Sequence, residues 1–219
     1  MKLGPIALLG IALAMSAIPA SANTVISLTG SLDPNYAGDT YTFAFTASAG
    51  VTVGVQSYGY GGSSATLSGF NAAGQPIAAG GFDTYLSLFS GTGPSATFLQ
   101  SNDDGLCPPA ATDGGNCYDS RLIALSIPAG EYTLVLSVSG NMSYAENYGS
   151  GTLGDGFFGF LPADYGGRNS NWALDISTSE GSITPISGAP EPAGWLLGIG
   201  GILLISTMKI LKPNGGRNV

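Results

Sequence analysis

The residues of this chain best suited to chemistry are acidic. Asp83 stands just before an apolar run, Asn102, Asp103 and Asp104 lie in a turn, and Asp119 precedes the next apolar run. If the strands beside them are neighbours, three loop ends bring four carboxylates together. Like charges held that close repel, so such a cluster persists only when exposed, protonated or bound to a cation. Calcium takes about six to eight hard oxygens. The carboxylates, the Asn102 amide, the Ser120 hydroxyl and the backbone beside Gly105 could supply them. Ordinary turn chemistry is the competing reading: Asp and Asn start turns by bonding their own backbone, and Arg121 could neutralise one carboxylate. Residues 102–105 do not make an EF-hand, because the DxDxDG spacing, the closing Glu and the flanking helices are missing. The chain has no His, which argues against zinc.

A second constellation is aromatic. Phe157, Phe158, Phe160, Tyr165 and Trp172 surround a Gly-rich stretch, with Asp155, Asp164, Arg168, Asn169 and Asn171 between them. Rings beside hydrogen-bonding groups could stack on sugars, and Phe157, Phe158, Tyr165 and Trp172 are the candidate glycan contacts. Alternatively the loop pins itself to the fold with its Phe side chains while Trp172 enters the core. Tyr58 and Tyr60, between glycines, allow the same two readings. Catalysis has little support. Without His no Ser-His-Asp or Cys-His site can be built, and Asp103 with Asp119 would be the carboxylate pair to test for glycoside hydrolysis. The expectation is a protein that is not an enzyme.

These side chains must be positioned by strands. Tyr41, Phe43 and Phe45 alternate with Thr40, Thr42, Ala44 and Thr46, and Val51, Val53 and Val55 follow after Ser48-Ala49-Gly50, which predicts a hairpin. Residues 85–89 and 96–100 read as a second pair across Gly91-Thr92-Gly93-Pro94. Residues 122–127 and 132–138, joined by Pro128-Ala129-Gly130, read as a third hairpin, with Tyr132, Leu134, Leu136 and Val138 on one face. Residues 24–28 give a first strand and 172–177 a last one. No stretch of the middle has the 3.6-residue apolar repeat of a helix, and the Gly-rich stretches 58–64 and 149–167 read as long surface loops. Many short strands with Gly/Pro turns predict an all-β, antiparallel β-sandwich of jelly-roll type over residues 23–188. About 165 residues suit one domain with a real core.

In that middle the only basic residues are Arg121 and Arg168, against more than ten Asp and Glu, and the whole chain carries a formal charge of −8. Such a surface disfavours nucleic acid and anionic lipid. Cys107 and Cys117 suit one disulfide in an exported chain, worth about 2–3 kcal/mol across so short a loop.

The two ends read as address labels. Lys2, an apolar stretch over 3–18 and Ala20-Ser21-Ala22 have the order of a secretory signal peptide cut after Ala22. At the other end Pro190, Glu191 and Pro192 precede an apolar run and then Lys209, Lys212 and Arg217. Residues 195–211 would form a helix of about 25 Å, short of a roughly 30 Å hydrocarbon core. Trp195 and snorkelling Lys209 and Lys212 could stretch it to fit. The basic residues would stay cytoplasmic, leaving everything before Glu191 outside.

This three-part tail resembles the PEP-CTERM sorting signal of exported bacterial proteins. The resemblance implies an exosortase-like processing enzyme, a transient inner-membrane anchor, and delivery to the envelope or an exopolysaccharide matrix. A second resemblance covers roughly residues 80–140. Phe82-Asp83-Thr84-Tyr85-Leu86-Ser87-Leu88-Phe89, then Asn102-Asp103-Asp104-Gly105, Tyr118-Asp119-Ser120-Arg121-Leu122 and Pro128-Ala129-Gly130-Glu131-Tyr132-Thr133-Leu134 are similar to secreted β-sandwiches of the bacterial pre-peptidase C-terminal type. That resemblance implies an appended folding, binding or surface module, often calcium-bearing near these loops.

Overall fold

The computed structural model describes residues 23–36, 38–60, 67–105, 118–158 and 165–186. The signal segment 1–22, Cys107, Cys117, Phe160, Asp164, the Pro190-Glu191-Pro192 triplet, the apolar run 195–211 and Lys209, Lys212 and Arg217 lie outside them. Among the described residues no helix is long and apolar enough to cross a membrane.

Alternation of apolar and polar residues builds an antiparallel β-sandwich. Its strands are β1 (Val25–Ser31), β2 (Tyr41–Ala47), β3 (Val51–Tyr58), β4 (Leu67–Phe70), β5 (Pro76–Ala78), β6 (Thr84–Ser90), β7 (Thr97–Asn102), β8 (Arg121–Ile127), β9 (Gly130–Val138), β10 (Asn171–Thr178) and β11 (Ile183–Pro185). One sheet has the order β1-β10-β3-β8 and the facing sheet β11-β2-β9-β6-β7, with β4 and β5 as a separate ribbon. The pairing is nested: β1 lies on β10, β2 on β9 and β3 on β8, with the β6–β7 hairpin innermost. That nesting is the wrapping of a jelly roll. The inner faces meet in one core, from Leu28, Val51, Val53, Val55, Leu122, Leu174 and Ile176 on one side to Phe43, Phe45, Leu86, Leu88, Tyr132, Leu134 and Leu136 on the other.

Two expected hairpins are corrected. β2 and β3 lie in different sheets, and so do β8 and β9; of the three expected hairpins, only the β6–β7 pair forms. Each short turn is an arch across the core. Period-two alternation says that a strand has one apolar face, but not which strand that face meets. In an arch the Phe43/Phe45 face packs against the Val51/Val53/Val55 face instead of lying beside it. Gly50, at φ 70°, makes the first arch, and Tyr132 braces the second by donating its hydroxyl to the Pro128 carbonyl at 2.8 Å.

A second layer was not legible as such. Residues 141–158 fold over the outer face of the five-stranded sheet, burying Phe89, Ala96, Val135 and Ala145 with Phe98, Leu153 and Phe157 against them. The segment contains a four-residue helix, α1 (Tyr144–Asn147), capped by Ser143, whose Oγ accepts the Ala145 N–H. Phe98 N–H to the Gly151 carbonyl (2.9 Å) and Leu153 N–H to the Ala96 carbonyl (2.8 Å) cover the exposed edge of β7, which protects it from pairing with another chain. The β8 edge is protected differently. A bulge between the Val53–Leu125 and Val55–Leu122 pairs turns Ile123 outward, leaving it 71% exposed.

Candidate functional site

The sandwich brings all five candidate acidic-site residues to one end. β3 and β7 finish there, and β6, β8 and β10 begin there. Strand register decides what each side chain meets. Ser57 continues the inward series Val51, Val53, Val55, and Thr84 continues the inward series of Leu86 and Leu88. The two hydroxyls therefore meet across the core at 2.7 Å. Asp119 is 1% exposed and closes over this contact. One of its oxygens accepts from the Ser57 hydroxyl and the Tyr60 N–H, each at 3.3 Å; the other accepts from the Ser68 hydroxyl of β4 at 3.3 Å. The Ser120 hydroxyl lies within hydrogen-bond reach of the carbonyls of Thr84 and Asp103 and has one proton to share between them.

Asp83 sits differently. Its Oδ1 is buried and has no hydrogen-bond partner. Burial, then the charges of Asp103, Asp104 and Asp119, push its carboxyl up to about 7, against a partial pull from Arg168. Asp119 is also pushed up to about 7, mainly by burial, with its N–H and hydroxyl partners and Arg168 opposing. Asp103 and Asp104 are exposed at the rim, and the Asn102 Oδ1 accepts the Arg121 N–H at 3.0 Å. Asn102, Asp104, Gly105, Arg121 and Ile123 line a cleft of about 360 Å³ between the edge strands β7 and β8.

The five residues share one end of the sandwich, but only some of them face solvent. Their clustering is real, but Asp119 faces inward onto neutral donors and Asn102 is committed to backbone. Among the described residues no group of three or more acidic side chains is arranged to hold a metal ion. Asp119, which the sequence pairs with Asp103 as a candidate hydrolytic pair, is buried on its hydroxyl and N–H donors, whereas Asp103 is exposed.

Arg168 and Tyr60, which the sequence did not mark as a unit, hold the end together. The Arg168 guanidinium lies 3.7 Å from the centre of the Tyr60 ring and donates to the Gly81 and Tyr60 carbonyls. Tyr60 in turn lies against Tyr118, ring centres 4.7 Å apart and tilted by 47°. Gly81 is required by this approach. A Cβ there would sit 2.5 Å from the Asn171 carbonyl oxygen and 2.7 Å from that of Gly59, both backbone atoms with little room to yield. Gly81→Ala should therefore cost about 2–3 kcal/mol, read as a lower urea midpoint with an unchanged slope; an unchanged midpoint would contradict the packing described.

The aromatic candidates separate into buried and accessible rings. Trp172 is 5% and Tyr165 6% exposed, the first packed on Tyr41 at 4.3 Å and the second on Phe82 at 5.0 Å. Neither offers a face to a glycan, in line with the reading that put Trp172 in the core. Phe157 packs into the second layer. Phe158 instead meets Tyr144 edge-on at 4.4 Å and Tyr148 at 5.6 Å. Tyr148, absent from the sequence-level set, is 77% exposed. Its signal would have been its place four residues after Tyr144.

No protein-family model matches the chain, and no curated protein matches its sequence. A crystal structure of a protein from Sulfurospirillum deleyianum is similar with a TM-score of 0.34 and 9% identity, covering 70% of this chain and 96% of that one; a likeness at that level says nothing about activity.

Proposed function

We propose that the chain is an exported, non-enzymatic surface or matrix protein, sorted by an exosortase-like system and associated with exopolysaccharide. The observation that carries this reading is the order of Pro190-Glu191-Pro192, apolar run and basic residues at one end, with a basic, apolar, small-x-small leader at the other. The fold supports it in one respect. β11 ends at Pro185, and the Ile186 N–H still bonds the Ala44 carbonyl of β2 at 2.9 Å. The triplet therefore follows the last sandwich hydrogen bond of the described residues by only a few positions, so a cut there would leave every described strand intact.

Replacing Pro190, Glu191 and Pro192 with alanines is expected to leave the protein in the inner-membrane fraction of its own host, while the unaltered chain is released. Release at the normal rate from the altered chain would end the sorting reading.

A further inference from the structure

We infer that Tyr148 is the stacking platform of a polysaccharide-binding site on the second layer, and that its ligand is a pyranose polymer without carboxylate groups. This rests on the matrix association proposed above and names the surface that would serve it.

The argument begins with exposure. Of the large hydrophobic side chains left open to solvent among the described residues, Tyr148 is the most exposed, and it is held against other rings. It contacts Phe158, which is edge-on to Tyr144. The backbone fixes all three. The Tyr148 N–H bonds the Tyr144 carbonyl at 2.9 Å, the Tyr144 N–H bonds the Gly156 carbonyl at 3.0 Å, and the Phe158 N–H bonds the Met142 carbonyl at 3.1 Å. A flat amphipathic ring so held loses little freedom on binding, which favours it as a contact for a rigid ligand.

Polar groups lie next to Tyr148 along the chain. The Asp155 carboxylate lies against Gly149, the residue after Tyr148, so closely that a Cβ at Gly149 would collide with it. Asp155 is pinned there by the Ser150 hydroxyl at 2.7 Å and the Thr152 N–H at 2.9 Å. A pinned carboxylate beside an aromatic face can accept from sugar hydroxyls while the ring covers the apolar C–H face. The exposed Asn147 adds a donor and an acceptor. Charge selects the ligand class. Asp155 and Glu146 repel a uronate polymer, and the described residues place no basic side chain in the 141–158 segment to offset them.

The test is native affinity electrophoresis of the purified full chain in gels cast with laminarin, dextran or hydroxyethylcellulose, with alginate as the acidic contrast. At least one neutral polymer is expected to retard the protein and alginate is not. Tyr148→Ala should weaken retardation on the order of tenfold, a loss of roughly 1.4 kcal/mol, while Tyr148→Phe keeps it. Unchanged thermal melts would show that both variants are folded, as an exposed side chain allows. Passage through every neutral gel, retardation by alginate alone, or full retention in Tyr148→Ala would overturn the inference. Because the assay uses purified protein, its failure leaves the sorting result at Pro190-Glu191-Pro192 untouched.

Discussion

The melting temperature is expected to rise by about 5–10 °C as the pH falls from 8 to 5.5, the opposite of the trend when paired carboxylates support a fold. Asp83 and Asp119 both titrate near 7 in the folded chain, against 3.8 for a free carboxyl. A group raised on folding favours the folded state below its unfolded value. That support is lost as pH climbs through the folded value, here the window from about 4 to about 8. Above it the fold carries charge in a desolvated place. Each pH unit of the difference is about 1.4 kcal/mol, and partial exposure of Asp83 discounts its share. The groups facing Asp83 are Asp103, Asp104 and Asp119, with Arg168 as the opposing charge. Asp83→Asn removes the charge without taking away a hydrogen bond, because the buried Oδ1 has no partner to lose. It should stabilise at pH 8 by about 1–2 kcal/mol and flatten the pH dependence. Thermal melts across that range give the answer: a destabilised variant at pH 8, or a wild type most stable at pH 8, would remove the buried-charge account.

Removing Arg168 should destabilise this end of the sandwich strongly. Arg168→Met leaves the Gly81 and Tyr60 carbonyls without their guanidinium donors and the Tyr60 ring without its cation. Hydrogen bonds to charged groups are worth about 1.5–3 kcal/mol each, and a partly buried cation–π contact about 1 kcal/mol. After partial replacement by water, a loss of about 3–4 kcal/mol at pH 8 is expected. The loss should be smaller at pH 5.5, where Asp83 and Asp119 are protonated and need no opposing charge. Urea midpoints at the two pH values separate the contributions. An equal loss at both would mean that Arg168 acts only through its hydrogen bonds.

The sandwich was legible because strand alternation is local. The inward faces of Phe43/Phe45, Val51/Val53/Val55, Leu134/Leu136 and Leu174/Ile176 were readable from spacing two residues apart. What spacing could not give was partnership. The turns at Ser48-Ala49-Gly50 and Pro128-Ala129-Gly130 serve an arch as readily as a hairpin, and only the second sheet decides between them. The acidic residues share one end of the sandwich, but the donors around Asp119 were not legible. Ser57 and Thr84 occupy apolar positions of their strands, and that irregularity is the sequence trace of the donors that satisfy Asp119. Arg168 and Gly81 meet through segments far apart in the chain, so no local pattern marks them. The stretch 141–158 hid its packing because α1 is too short to show a helical repeat.

The claim on which the rest depends is that the two termini direct and release the chain, leaving the sandwich to act outside the cell. Intact-mass analysis of the protein from its own host, fraction by fraction, tests it most directly. The account predicts an extracellular or envelope species that begins at Asn23 and ends at or near Pro190-Glu191-Pro192. A full-length, unprocessed chain of 219 residues in the cytoplasmic fraction would contradict it.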